Sequence, residues 1–317
     1  MKLIDVYRLA IQTGIEHDLR PKEMIDRILE KEKARYDSLN EEERSYFDME
    51  RLWNPYGDTR LSYGDGDLDV KRLMWGIDIE TGEVLLADRL REKGERIDGI
   101  VGHHPLGSSK IPFPEVIDIQ NELYHGYGVP YNMIEGMMGS RMAEVKRGAH
   151  PSNYNQAVDA AKLLDIPIMN IHAPADNCVE DFLSKGIEKE SPTYVSDIVD
   201  YLMSIEEFKI GARYNCRPLI AVGSPSDHCG KVVIKMNGGT SSPKDIYSKL
   251  EMSGIGTVVG MHFPENHIEE ARKHNIRLVV SGHMPSDSLG VNLICDVWEK
   301  AGVDVIPCSG LIRVSRN

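Results

Sequence analysis

Apolar and polar positions change period along this chain. Over the first sixty residues they recur at helical spacing: in RPKEMIDRILEKEKARYDSLNEEERSYFDMERLW, Met24, Ile25, Ile28 and Leu29 share one face among charged neighbours. Ser38 interrupts this run, and Asn40 is placed to cap a second helix. The pattern predicts a helical extension over residues 1–60, and the Gly-, Pro- and Asp-rich stretch NPYGDTRLSYGDGD (Asn54 to Asp67) reads as a linker out of it.

Beyond that stretch, strands alternate with helices. VKRLMWGID (Val70 to Asp78) reads as a strand, GEVLLADRLREKG as a helix closed by Gly94, and IDGIVG as a second strand, together a βαβ unit. Such a unit predicts neighbouring parallel strands with a ligand site beyond their carboxyl ends. Pro112 to Lys162 is mainly helical. Strand candidates then follow in IPIMNIHAPAD, PLIAVGS, GKVVIKMNGGT, IGTVVG, IRLVVSG and VDVIPCSG, with helices between them. The class expected is α/β.

Composition narrows the function classes. The 317 residues include 41% apolar and 27% charged positions, as in an ordinary globular protein, and no apolar run is long enough to span a bilayer. The net charge of −13 opposes binding to nucleic acid or an anionic membrane. Five scattered cysteines form no C-x-x-C pair, and Asp5 and Arg8 interrupt the apolar amino terminus, unlike a signal peptide. A cytoplasmic protein with reduced thiols is expected.

Three strand ends share one chemistry. IDGIVG ends on His103 and His104; IPIMN is followed by His172 and Asp176; IRLVVSG is followed by His283 and Asp287. A single histidine at a strand end is more often a hydrogen-bonded turn residue than a ligand, but three coincident ends favour a metal site. Imidazole with carboxylate suits zinc, manganese, iron, cobalt or nickel and is too nitrogen-rich for calcium. Five or six donors exceed one tetrahedral ion and suit two ions sharing a carboxylate, with a metal-bound hydroxide as nucleophile.

These motifs resemble the Nif three-like family, whose members carry the label GTP cyclohydrolase I type 2 homologue. DGIVGHHPLG resembles the family's apolar strand followed by His-His-Pro-Leu. IHAPADN resembles its His-Thr-x-x-Asp segment, and VVSGHMPSDSLGVNLICDVWEKAG its late Gly-His-x-x-x-Glu and helix; MNGGTSSPKDIYSKLEMSGIGTVVG resembles its glycine-bearing turn. The likeness covers about Leu68 to Leu106 and Ile166 to the carboxyl end.

The resemblance implies mixed sheets flanked by helices, with two α/β lobes around a central metal cleft over residues 61–317 and a helical insertion at about 107–165. It implies His103, His104, Asp176, His283 and Asp287 as ligands of two divalent transition-metal ions (zinc, iron or manganese), with His172 behind them. It also implies a small-molecule substrate and a closed ring-like homo-oligomer such as a hexamer. The activity implied is metal-dependent hydrolysis of a phosphoester, nucleotide or cyclic amide, GTP ring opening included; the alternative is a non-catalytic metal-binding scaffold or regulatory partner. Asp287 stands where the family carries Glu, and Ala173 where it carries Thr.

Other residues carry secondary expectations. In HFPENHIEEARKHN, His267 and Glu265 are expected as acid or base beside the metals. NGGTSS (Asn237 to Ser242) either presents backbone N–H groups to a phosphate or is a plain turn with Ser242 capping the next helix, the turn being favoured. Cys178 reads as a core residue, and Asp78 as either cleft-facing or a helix cap.

Overall fold

The computed structural model describes all residues, Met1–Asn317. Its strands, in chain order, are β1 (Arg60–Tyr63), β2 (Arg72–Gly76), β3 (Gly99–Gly102), β4 (Ile168–Asn170), β5 (Leu219–Val222), β6 (Lys231–Lys235), β7 (Ile255–Gly260), β8 (Arg277–Val280) and β9 (Asp304–Cys308). They form two mixed sheets, ordered β1-β4-β3-β2-β9 and β5-β8-β7-β6. In each sheet the first-named strand runs antiparallel to its neighbour and the remaining pairs are parallel.

The second sheet repeats the order of the first, with β5 to β8 standing for β1 to β4. The likeness extends to sequence: after β4 comes His172-Ala-Pro-Ala-Asp176 and after β8 comes His283-Met-Pro-Ser-Asp287, each leading into an 18-residue helix. Those helices, Ala173–Glu190 and His283–Lys300, are apolar on several faces because they pack into cores on both sides. Val291, Ile294 and Trp298 join the first sheet, where Trp298 lies 4.6 Å from Trp75 between ring centroids, while Val179, Leu183 and Leu289 join the second.

The amino-terminal segment corrects two expectations. The helix Leu3–Glu16 is not part of an appended extension, because Leu3, Val6, Tyr7, Ala10 and Ile11 are buried in the core that holds Trp75 and Trp298. Its apolar residues recur on one face, so it covers the sheet; the charged character belongs to the next helix, Lys22–Ser38, which buries only Ile25. Nor is Asn54 to Asp67 a simple linker. It contains β1, whose pairing with β4 is masked in sequence by polar residues that the fold buries: the Arg60 guanidinium reaches Asp48 and the carbonyls of Tyr56 and Thr59.

Between β3 and β4, the helices Asp118–Gly126, Tyr131–Ala149 and Gln156–Leu163 fulfil the helical expectation. Tyr124, Val129, Ile134 and Met138 from this segment pack with Val233, Leu250 and Val258, so chain inserted in the first lobe covers the second sheet.

Candidate metal centre

The carboxyl ends of β3, β4 and β8 converge on one cleft. Where β3 stops, the backbone N–H groups of His103 and His104 donate to the carbonyls of Gly76 and Ile77 at 2.9 and 3.0 Å, which breaks the strand alternation and lets both rings face the same way. His103 and His172 have ring centroids 4.9 Å apart, and His104 and His283 5.4 Å apart. Asp176 and Asp287, each four residues after a histidine of the duplicated motif, are 3% and 1% exposed.

Three of the four rings are held from behind. His103 Nδ1 lies 3.1 Å from the Ile171 carbonyl, His104 Nδ1 2.7 Å from Asp78, and His172 Nδ1 2.6 Å from the fully buried Asp58. Carbonyls and carboxylates only accept, so each Nδ1 carries the proton and each Nε2 lone pair is directed inward, the arrangement of metal-binding histidines.

Asp287 divides the donors into two sets. Its Oδ1 is 3.7 Å from His103 Nε2, which is itself 3.5 Å from Asp176 Oδ1; across Asp176, Oδ2 is 3.9 Å from His172 Nε2. Its Oδ2 is 3.5 Å from His104 Nε2 and 3.2 Å from His283 Nε2. Two donors bound at about 2.1 Å in a tetrahedral arrangement are separated by about 3.4 Å, close to most of these spacings. Both Asp287 oxygens and His103 Nε2 are buried without a hydrogen bond. Orphaned buried acceptors of this kind call for an ion, so the residues present fit divalent metal.

The electrostatics separate the donors. Burial drives His103 well below the usual imidazole range, so it is neutral and able to ligate. Burial opposes ionisation of Asp287 as well, but His103, His104 and His283 outweigh it and hold its carboxyl below the ordinary range. Asp176 is pushed up to about 8, by burial first and then by Asp287 and Asp58 against the pull of His172. Burial opposes protonation of His172 too, but Asp176 and Asp58 outweigh it and raise it to about 9, so without an ion the buried His172–Asp176 pair holds protons that a metal would displace.

Every residue expected as a ligand lies in this cluster, and His172, expected behind the ligands, faces it directly. Glu265 and His267 do not. Glu265 is exposed at the start of the helix Glu265–Lys273, and His267 is turned into the second lobe, 3.2 Å from the Tyr247 hydroxyl, where burial lowers it to about 4. The helix rotates them off the strand end. His262, directly after β7, is the member of that segment that lines the cleft, with its ring centroid 5.2 Å from that of His283. Asp78 faces the cleft, while the following helix is capped by Glu80 with Glu83. Ser242 caps nothing; its hydroxyl bonds Gln120 and Tyr124. Cys178 is a fully buried core thiol.

Two further residues stand at the site without having stood out in the sequence. Asp58 was hidden in the apparent linker, and only the fold brings it to His172. Lys235 ends an apolar strand as the histidines do, and that placement was the available signal.

A solved NIF3 superfamily protein from Sphaerobacter thermophilus is 30% identical and superposes with a TM-score of 0.69 over 80% of this chain and 92% of that one. The chain belongs to the NIF3 superfamily. Two further structures are similar to this NIF3 chain: reduced HcgD from Methanocaldococcus jannaschii (16% identity, 79% and 89% coverage, TM-score 0.48) and a Bacillus cereus protein related to NIF3 (11%, 82% and 93%, 0.43). No family model and no curated protein matches the chain.

Two measurements probe how this NIF3 site is supported. Asp58→Asn keeps the shape but loses the charge that fixes the His172 tautomer; metal affinity is expected to fall about 10–100-fold in a chelator competition titration, and unchanged affinity would remove Asp58 from the site. Behind the cleft, burial raises Glu180 to about 7 although it accepts N–H bonds from Met236 and Asn237. A carboxyl raised in the fold binds more protons folded than unfolded, so its contribution to stability declines from about pH 4.5 to 7. Glu180→Gln retains an acceptor and is expected to stabilise by about 3 kcal/mol at pH 8 and by much less at pH 5. Denaturant melts at both values check the difference, and an equal effect at both would show that burial does not perturb Glu180.

Proposed function

We propose that this NIF3 protein is a dinuclear metal-dependent hydrolase acting on a small molecule. The observation that carries the reading is Asp287: its two unpartnered, buried oxygens face different donor sets, His103 with Asp176 and His172 on one side and His104 with His283 on the other. Two divalent ions held there supply, when bound, a water acidified toward neutrality and electrophilic stabilisation of the substrate.

The chain's own residues do the rest. Asp58, Asp78 and the Ile171 carbonyl keep the imidazoles aimed, so the site is organised before substrate enters. The buried side of the cluster excludes water, whereas His104 and His283, with side chains 27% and 40% exposed, open it to the cleft. Burial, His283 and Lys235 lower His262, which leaves it a neutral imidazole at pH 7 at the cleft edge, able to take or return a proton of the substrate.

The test is elemental analysis of protein purified without chelator, with His103→Ala/Asp176→Ala as reference, followed by a hydrolysis screen over phosphoesters, nucleotides and cyclic amides. About two metal equivalents lost in the variant, with metal-dependent turnover, support the reading. Metal retained without turnover of any class favours the scaffold alternative, and absence of metal removes both.

A further inference from the structure

The same cleft carries a second chemistry. Lys235, at the end of β6, and Lys110, beyond β3, both line it. In a chain with 50 acidic and 37 basic residues, neither lysine has a carboxylate within ion-pair distance. Lys235 makes one hydrogen bond, to the Thr240 carbonyl at 2.8 Å, and Lys110 makes none. A partly buried ammonium with no carboxylate in contact costs stability, which the fold tolerates where an anion is to be received.

The adjoining loop is built to match. Gly238 and Gly239 adopt φ of +91° and +62°, and a Cβ on either would lie 2.3 Å from Gln120 or Phe113, so only glycine fits. Gln120 grips the Gly238 and Thr240 carbonyls, and Arg141 holds the Ser241 carbonyl and Thr240 hydroxyl. The amides of Gly239 and Ser241 have no acceptor within the protein, and both residues line the cleft. Fixed amides beside Lys235, in a cleft that Lys110 also lines, make an anion cradle. The cleft volume of about 250 Å³ admits a small molecule, being below the roughly 300–1,000 Å³ of drug-sized sites.

We propose that Lys235, Lys110 and the Gly239–Ser241 backbone form a phosphate subsite, making the substrate a small phosphate-bearing molecule; this rests on the hydrolase reading and names its substrate class. A phosphoryl dianion matches two lysines and accepts from several directions at once, whereas a planar monoanionic carboxylate satisfies fewer of these donors.

The experiment is calorimetric titration with phenyl phosphate and with benzoate, on metal-loaded and chelator-treated protein, with metal content measured in each sample. Phenyl phosphate is expected to bind more tightly than benzoate, and Lys235→Met to weaken it about tenfold or more, the size of one lost charge-assisted contact. Lys235→Arg should restore most of the affinity, and Lys231→Met, on the exposed start of the same strand, should change nothing. Metal content should be the same in all three variants. Losing a desolvated charge does not threaten folding, and melting curves check this. Equal affinity in Lys235→Met, equal binding of benzoate, or no phenyl phosphate binding in either form overturns the subsite. Lys235-dependent binding in protein that retains no metal would uphold the subsite while defeating the dinuclear reading.

Discussion

Asp287→Asn is expected to empty the proposed dinuclear centre of both ions. One carboxylate faces both donor sets, so the amide removes the shared charge from both and leaves one of them facing a nitrogen that cannot ligate; affinity for either ion should drop by at least about 100-fold, beyond what loss of a supporting residue costs. Elemental analysis of protein purified without chelator should then find almost no transition metal. Asp176→Asn is the informative partner. Asp176 lies with His103, His172 and the Oδ1 side of Asp287, so its replacement should spare the set of His104, His283 and Asp287 Oδ2, and about half the metal should remain. Equal losses in the two variants would mean that Asp287 does not join two sites, and full retention in Asp287→Asn would exclude it as a ligand.

The second large effect is at Gly290. Here the helices Ala173–Glu190 and His283–Lys300 cross so closely that a Cβ on Gly290 would stand 2.2 Å from the Ala175 carbonyl oxygen. The obstacle is backbone, and it lies next to Asp176 and three residues from Asp287. Gly290→Ala must therefore push apart the two helices that carry the carboxylates. Overpacking of this kind costs about 1–3 kcal/mol or more, and a displacement at this crossing should lower metal affinity about 10–100-fold as the donors lose alignment. Gly148→Ala, on the helix Tyr131–Ala149 with nothing within 4 Å, is the control and should be stabilising by about 0.5–1 kcal/mol. Denaturant melts with and without chelator, together with a metal titration, separate the two consequences. A Gly290→Ala protein as stable and as metal-avid as the parent would show that the crossing has room to give.

Much of this NIF3 chain was legible one residue at a time. The strands before His103, His172 and His283 announce themselves as short apolar runs ending abruptly in polar ligands, because a buried parallel strand must be apolar along its length and its chemistry is displaced to its end. The helix over Lys22–Ser38 and the cap at Asn40 follow from local periodicity and capping. Glu265 and His267 failed for the opposite reason. Proximity to a strand end in sequence says nothing about rotation around the following helix, and three further residues carry a side chain most of the way around a turn.

Sequence by itself determined the candidate donor types, their order and the strand ends that bear them, since these depend on hydrophobic pattern and donor chemistry. Only the tertiary structure decided that Asp287 faces both donor sets, that Asp58 from an apparent linker stands behind His172, and that Lys235 from the second sheet lines one cleft with candidate donors from the first. Each is a contact between residues distant along the chain, set by how two similar sheets close on a shared pair of helices. No local periodicity encodes that closure, because it arises from the packing of whole elements.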